Sequence, residues 1–123
     1  MSKAMIVDDS RAIRMILSNT LKQLGFETLQ AVDGKDALAQ ADQHPDISVF
    51  LVDWNMPEMN GLEFVQNIRK DPRFAPAPII MVTTETEMAQ VMKALEAGAN
   101  EYVMKPFTQE IIADKLRMVG AVE

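Results

Sequence analysis

Residues 47–61, ISVFLVDWNMPEMNG, are the stretch of sequence that decides the fold. Residues 47–52 are almost all apolar and rich in β-branched side chains, which is typical of a strand buried on both faces of a sheet. Asp53 follows at once, and Pro57 and Gly61 mark the loop beyond it. The Asp53 carboxylate is therefore predicted at the end of a buried strand, where open α/β sheets bind their ligands. A single aspartate at such a place can also serve only to cap the turn, so the rest of the chain must decide its role.

The composition indicates one small globular domain. A chain of 123 residues can bury about two-thirds of its unfolded surface, so we expect a single domain over residues 1–123. No cysteine is present, which excludes thiolate metal sites and thiol catalysis. The 12 basic and 18 acidic residues give a net charge of −6. Because no basic cluster could follow a nucleic-acid backbone, nucleic acid is not an expected partner.

The apolar segments of the sequence are too short to enter a membrane. The N-terminal run of residues 4–7 is shorter than the core of a signal peptide, and no run approaches membrane-spanning length. The sequence therefore predicts a cytoplasmic protein with no membrane partner. The absence of cysteine agrees with a reducing compartment.

Predicted strands and helices alternate along the whole chain. The strands are expected at residues 5–7, 26–31, 47–52, 79–82 and 102–104. Apolar residues at three- and four-residue spacing predict a helix after each strand, and Leu62, Val65 and Ile68 of the third helix are expected to face inward. The apolar groups that mark the other helices are Ile13, Ile16, Leu17, Leu21 and Leu24; Ala37, Leu38 and Ala41; Met88, Val91, Met92 and Leu95; and Ile111, Ile112, Leu116 and Val119. Met5, Met81 and Met104 fall on strands and are expected in the core.

This alternation favours an α/β fold with a doubly wound parallel sheet, because parallel neighbours require crossover connections. The second and fifth strands are the more polar, which places them at the edges. We therefore predict five parallel strands in the order 2-1-3-4-5, flanked by five helices. In this order the winding reverses between strands one and three, and the crevice there should be lined by Asp8, Asp9 and Asp53.

Polar residues also follow the other inner strands, at the same edge of the predicted sheet. Thr83 follows the fourth strand and Lys105 the fifth, opposite the three carboxylates. Carboxylates within a few ångströms repel one another by about 1–4 kcal/mol per pair, so a cation is expected among them. Hard oxygen ligands suit Mg²⁺, which fills its shell with water and phosphate. The site is thus predicted to receive a phosphoryl group, whose oxygens Thr83 and Lys105 could bind.

Four motifs carry a family resemblance: Asp8–Asp9, DWNMPEMNG at 53–61, Thr83, and EYVMKPF at 101–107. Together they closely resemble the receiver domain of two-component response regulators, in particular the single-domain chemotaxis type, CheY. The resemblance covers residue 5 to about residue 119. Each motif alone is weak, but all four in order at the ends of the right strands are highly specific. The resemblance implies the flavodoxin-like fold, whose strand order is the one predicted above.

The resemblance implies that Asp53 is the phosphoacceptor. It would take a phosphoryl group from the phosphohistidine of a CheA-like histidine kinase in a Mg²⁺-dependent reaction. Asp8 and Asp9 would serve the metal together with Asp53, and Asn55 would add its backbone carbonyl. A protein of this kind is a signalling receiver rather than an enzyme, since it catalyses only its own phosphorylation and dephosphorylation.

The resemblance also implies a switch and an output surface. Thr83 would donate its hydroxyl to the phosphoryl group, Lys105 would pair with that group, and Pro106 would follow a cis peptide bond that aims the lysine inward. Tyr102 would turn inward as Thr83 moves. The expected output is binding of a downstream protein, such as a flagellar switch component, by a monomer. The partner surface is predicted to include Met88, Met92, Tyr102, Lys115 and Met118.

Three residues are implicated in the lifetime of the phosphorylated form. Asn55 and Glu85 match the fast-cycling chemotaxis proteins at positions that tune this lifetime in the family. Thr84 departs from the small residue that many relatives carry, and it could narrow access to the phosphoryl group. A separate phosphatase is a possible further partner.

Other functions must be weighed against this one. A stand-alone receiver could act as a phosphorelay intermediate or phosphate sink outside chemotaxis. A haloacid-dehalogenase-type phosphatase also has an aspartate at a strand end, but it needs a second aspartate two residues later, where this chain has Asn55. A flavodoxin would bind FMN phosphate with a Ser/Thr/Gly-rich loop after the first strand. The Asp-Asp-Ser of this chain repels phosphate unless a metal intervenes.

The remaining polar residues of note are predicted to be solvated. His44 lies in a loop beside Pro45 with no acidic partner in view, so it is expected to be an exposed turn residue. Arg11 and Arg14 are expected to be ordinary solvated residues of the first helix.

Overall fold

The computed structural model describes residues 2–84 and 89–122. Within them, five strands form one sheet: β1 (Lys3–Val7), β2 (Glu27–Ala31), β3 (Ile47–Asp53), β4 (Ile79–Thr83) and β5 (Glu101–Met104). The α-helices of the described chain are α1 (Arg11–Gln23), α2 (Gly34–Gln43), α3 (Gly61–Ile68), α4 (Val91–Ala97) and α5 (Gln109–Met118). A short 3₁₀ helix, Pro72–Phe74, precedes β4. Two residues with predicted roles, Glu85 and Met88, lie outside the described residues.

All strand pairs are parallel, and the order is β2-β1-β3-β4-β5, which confirms the predicted topology. Because β1 pairs with both β2 and β3, the winding reverses between β1 and β3. The register aligns Val7 with Val52, so Asp8 and Asp53 leave the sheet side by side. It also aligns Thr83 with Met104, so Lys105 emerges next to Thr83.

The sheet is buried on both faces, as the apolar run of β3 predicts. Phe50 and Val52 point to the face covered by α2, α3 and α4, where Phe50 packs against Phe64 and Phe74. Val49 and Leu51 point to the opposite face, covered by α1 and α5. The two cores hold β3 firmly, so that its last residue, Asp53, occupies a fixed position.

Short polar side chains cap the first turns of α1, α2, α3 and α5. Ser10 accepts a hydrogen bond from the Ile13 backbone N–H at the start of α1. Asn60 and Glu63 form a reciprocal capping box at the start of α3. Each such cap satisfies backbone donors that a helix leaves free at its first turn and typically contributes about 1 kcal/mol.

One methionine predicted for the core and three residues of the predicted apolar helix patterns are exposed. They are Ile16, Met92, Met104 and Ile111. Helical spacing places each of the three helix residues beside a buried one, and the narrow contact between helix and sheet covers only part of that apolar stripe. Met104 ends an edge strand, where little packs over its side chain. The exposure of Met92 agrees with its other predicted place, on a partner surface.

None of the helices in the described chain is long and apolar enough to cross a membrane.

Candidate functional site

Two carboxylates are buried where the sheet reverses its winding. Asp8 is 1% exposed and Asp53 is 4% exposed, each directly after or at the end of a central strand. Asp8 Oδ1 accepts a hydrogen bond of 2.8 Å from the Ser10 backbone N–H, which fixes the carboxylate at the start of α1. The strands hold both groups away from water, where an uncompensated negative charge is unfavourable.

A third carboxylate, Asp9, joins them from the exposed side of the rim. One oxygen from each of Asp8, Asp9 and Asp53 lies within 4.8 Å of the others. These are three hard oxygen donors with one side open to solvent, so the set fits a hard divalent cation such as Mg²⁺.

Lys105 is the cation that the described chain supplies to this cluster. Its ammonium lies 3.2 Å from Asp53 Oδ1 and 3.4 Å from Asp8 Oδ2. Its backbone N–H donates to the Thr83 carbonyl oxygen at 2.6 Å, which ties the ends of β4 and β5 together. The Lys105–Pro106 peptide bond is cis. Among the described residues, the Lys105 ammonium contacts two of the three carboxylates, so the cluster keeps an excess of negative charge that suits a further cation.

The ionisation of the site follows from this arrangement. Burial raises the pKa of Asp8 above its ordinary 3.8, against the opposing effect of the Ser10 N–H and the Lys105 ammonium. Burial lowers the pKa of Lys105, but attraction to Asp53 and Asp8 outweighs it, so that this pKa is raised. Lys105 therefore stays protonated at neutral pH.

The loop after Asp53 is folded back tightly at Gly61. The Gly61 N–H donates to the Trp54 carbonyl oxygen at 2.8 Å. A Cβ at Gly61 would overlap the Asp53 carbonyl oxygen and would lie 2.9 Å from the Trp54 Cα. Glycine is thus required at this position if the Asp53–Trp54 peptide is to stay in place. From the sequence, Gly61 is recognisable only as a residue that interrupts regular secondary structure. The structure adds that its backbone lies close against Asp53, the phosphoacceptor candidate.

Arg14 has a structural task that the sequence does not reveal. Its guanidinium donates to the Asp8 backbone carbonyl at 2.7 Å and to the Gln30 side chain at 3.2 Å. The prediction that Arg14 is merely solvated was therefore wrong. It sits six residues after Asp8, one turn into α1, and this short separation was the available signal.

Thr83 and Tyr102 lie on neighbouring strands beside this rim. Thr83 is fully buried, and Tyr102 is half-buried on the edge strand β5. The Lys115 ammonium lies 5.2 Å from the centre of the Tyr102 ring. Of the remaining predicted surface residues, Met92 is 64% and Met118 66% exposed.

The residues predicted to tune phosphate lifetime lie at the same edge. Asn55 is exposed two residues beyond Asp53, and Thr84 is half-buried directly after β4. Glu85 lies outside the described part of the chain.

Comparison with known proteins identifies the family. The model of the response regulator receiver domain matches residues 4–117. The chain is a response regulator receiver domain. The receiver is 48% identical over 118 residues to chemotaxis protein CheY1 of Helicobacter pylori, covering 95% of both chains. It is 46% identical to the CheY homolog of Campylobacter jejuni, covering 95% of this chain and 91% of that protein.

Solved structures agree with this assignment. The receiver superimposes on chemotaxis protein CheY4 of Vibrio cholerae with a TM-score of 0.90 at 39% identity, covering 97% of this chain and 98% of that one. The chain is thus a homologue of CheY chemotaxis response regulators, and receivers of this type are signalling proteins with a kinase as phosphodonor and a downstream target.

Proposed function

We propose that Asp53 is the phosphoacceptor of a two-component pathway. The observation that carries this proposal is the position of Asp53, which is buried at the switch point of the sheet between Asp8 and Lys105, with its Oδ1 3.2 Å from the Lys105 ammonium. Among the described residues, one cation and two further carboxylates face this buried carboxylate, an arrangement that suits a reaction that brings in phosphate and metal together.

The proposed reaction moves one phosphoryl group. An Asp53 carboxylate oxygen attacks phosphorus in the phosphohistidine of a CheA-like kinase, the P–N bond breaks, and the histidine nitrogen leaves with the bonding electrons. The product is an acyl phosphate on Asp53. Lys105, already in contact with Asp53, would pair with the added negative charge, and the Thr83 hydroxyl would donate to a phosphoryl oxygen.

Mg²⁺ is the proposed cofactor. Asp8, Asp9 and Asp53, with the backbone carbonyl of Asn55, would hold it. When bound, it would neutralise the excess carboxylate charge and that of the phosphoryl group. Asp9 is exposed and therefore accessible to an incoming hydrated ion, while Asp8 is fixed by the Ser10 N–H.

The protein is proposed to catalyse only the formation and hydrolysis of its own acyl phosphate. Asn55 and Glu85 are proposed to set the lifetime of this group, and Thr84 to restrict access to it. A separate phosphatase is a further proposed partner. We propose that residues 1–123 act as one receiver domain and as a monomer.

We further propose that the output is chemotactic, as the names of the relatives suggest. The downstream protein would be a flagellar switch component, which would bind the surface formed by α4, β5 and α5. That surface includes Met92, Tyr102, Lys115 and Met118, with Met88 predicted there as well. Exposed methionines support this proposal, since their flexible apolar side chains adapt to a partner.

Labelling with a small phosphodonor tests the phosphoacceptor. With acetyl phosphate and Mg²⁺, intact-mass spectrometry should find one added phosphoryl group on the wild type and none on Asp53→Asn. Asp46→Asn is the matched control, because Asp46 is an exposed carboxylate paired with Lys3 far from the site. Labelling of Asp53→Asn at the wild-type rate would refute the assignment.

The role of Thr83 requires a separate measurement of output. Thr83→Ala should still accept phosphate on Asp53, because the hydroxyl is not the nucleophile, but it should couple phosphorylation poorly to the partner. If the phosphoryl group stabilises one of two arrangements by about 2 kcal/mol more than the other, the ratio of their populations changes roughly thirtyfold. The affinity of a flagellar switch peptide, measured with and without beryllofluoride, should rise much less in Thr83→Ala than in the wild type. Equal enhancement in both proteins would show that the signal does not pass through Thr83.

A further inference from the structure

Three residues at the free edge of the sheet form a closed set of contacts. The Lys115 ammonium on α5 lies 3.0 Å from Glu101 Oε1 and 5.2 Å from the centre of the Tyr102 ring. The same Glu101 oxygen accepts a hydrogen bond of 3.0 Å from the Tyr102 backbone N–H. We call Glu101, Tyr102 and Lys115 the β5 latch. One carboxylate oxygen thus fixes the strand at Tyr102 and holds a cation beside the Tyr102 ring.

The latch differs from an ordinary surface ion pair. The side chains of Lys115 and Glu101 are 24% and 19% exposed, whereas those of Arg117 and Asp114, an ion pair on the same helix, are 52% and 64% exposed. Reduced contact with water strengthens the attraction between ions and that between a cation and an aromatic ring. The contact with the ring also exists only while Tyr102 holds its present position.

We propose that Lys115, positioned by Glu101, holds the Tyr102 ring in the arrangement of the unphosphorylated receiver and so opposes activation. This inference rests on the proposed function, in which Tyr102 moves when Asp53 is phosphorylated. Any movement of the ring away from Lys115 loses the cation–π contact, so the latch favours the resting arrangement. Lys115 and Glu101 are positioning residues in this scheme, since neither contacts Asp53 in the described structure.

Linkage gives the latch a measurable consequence. A ligand that binds one arrangement has an apparent affinity equal to its intrinsic affinity multiplied by the fraction of molecules in that arrangement. Removing a cation–π contact of ordinary strength should change the ratio of the two arrangements about two- to fivefold. Wherever the activated arrangement is the minor one, the affinity for a phosphoryl mimic should rise by the same factor.

The experiment uses beryllofluoride with Mg²⁺ as the mimic and the fluorescence of Trp54, the only tryptophan, as the readout. In Lys115→Met and Glu101→Gln, the half-saturating beryllofluoride concentration should fall about two- to fivefold. Lys115→Arg, which keeps a cation near the ring and the carboxylate, should stay close to wild type. Arg117→Met is the matched control, because it removes a cation from the same helix without touching the latch. Half-saturation in Lys115→Met equal to that of wild type and Arg117→Met would overturn the proposal.

A second measurement keeps failure of the latch separate from failure of the proposed function. Tyr102 is the only tyrosine, so 3-fluorotyrosine incorporation gives a single ¹⁹F resonance that reports on this ring. In the free proteins, this resonance should move towards its beryllofluoride-bound position in Lys115→Met and Glu101→Gln but not in Arg117→Met. If Trp54 in the wild type does not respond to beryllofluoride, the assignment of Asp53 is wrong. In that case, the positioning of the ring by Lys115 is supported if the solvent isotope shift of the ¹⁹F resonance differs between Lys115→Met and Arg117→Met, and it is refuted if the two variants match.

Discussion

Charged side chains are paired and exposed differently at the two ends of the sheet. At the amino ends of the strands, cations pair with carboxylates and the pairs reach solvent: Lys3 lies 3.0 Å from Asp46, and Arg73 lies 2.7 Å from Asp71 and 2.9 Å from Asp42. These contacts join the first residue of β1 to the segments that precede β3 and β4. Two cations face three carboxylates here, and all three carboxylates are paired and in contact with solvent, so this end gains little from an added ion.

At the carboxyl ends, Asp8, Asp9 and Asp53 meet one lysine, Lys105, and two of the three carboxylates are buried. The same fold therefore carries one end where the carboxylates are paired and solvated and one end where a larger excess of negative charge is partly buried. The first arrangement serves to connect elements, and the second is suited to binding a cation and accepting phosphate. Burial of two carboxylates beside a single lysine, rather than the number of carboxylates, distinguishes the functional end from the structural one.

Backbone packing gives the largest expected difference between the two ends. Gly61→Ala would force a Cβ against the Asp53 carbonyl oxygen, a backbone atom that cannot rotate away, and should lower the free energy of unfolding by about 3 kcal/mol. Gly25→Ala, at the other end, places its Cβ in open space. Its free energy of unfolding should fall only because alanine disfavours the positive φ at this position, by about 1–2 kcal/mol.

Urea unfolding measures both variants, and acetyl phosphate labelling should be slowed only in Gly61→Ala. Equal losses of stability in the two glycine variants would mean that the rim is no more tightly packed than the opposite end.

The pH dependence of stability should have opposite signs at the two ends when metal is removed by a chelator. Because burial raises the folded-state pKa of Asp8 above 3.8, the folded protein should lose stability as pH rises from 3.8 through that raised pKa. The hydrogen bond from the Arg73 side chain lowers the pKa of Asp71, so its contribution is present above 3.8 and is lost as pH falls through the lowered pKa.

Asp8→Asn should therefore be more stable than wild type at neutral pH without metal, while Asp71→Asn should be less stable by a small amount. Thermal unfolding between pH 3 and pH 8 measures both differences. A destabilised Asp8→Asn at neutral pH would show that the buried carboxylate is not under electrostatic strain.

The sequence predicts which charged residues meet at the carboxyl end of the sheet, because those residues directly follow the predicted strands. The alternation of apolar runs and helical patterns determines the parallel sheet, and the residue after each run then lies at a known edge. That logic correctly brought Asp8, Asp9, Asp53 and Lys105 together.

Contacts between distant side chains were not accessible in this way. His44 was expected to be an exposed turn residue, but it is half-buried and its Nδ1 lies 3.3 Å from the Lys3 ammonium, 41 positions away in the chain. The contact of Lys115 with Tyr102 likewise depends on how α5 packs beside the edge strand. Apolar spacing also failed to show which residues of a helical stripe the sheet leaves uncovered, as at Ile16 and Met92. Periodicity identifies a face, but only packing determines how much of that face is buried.

The excess of carboxylates at one end is tested most directly by titrating Trp54 fluorescence with Mg²⁺. Trp54 is the only tryptophan and follows Asp53 directly. The wild type and Asp46→Asn, a variant at the amino ends of the strands, should show the same saturable change. Asp9→Asn should lose most of it, because Asp9 is an exposed member of the carboxylate cluster. An Asp9→Asn protein that titrates with the same amplitude and midpoint as wild type would contradict the account.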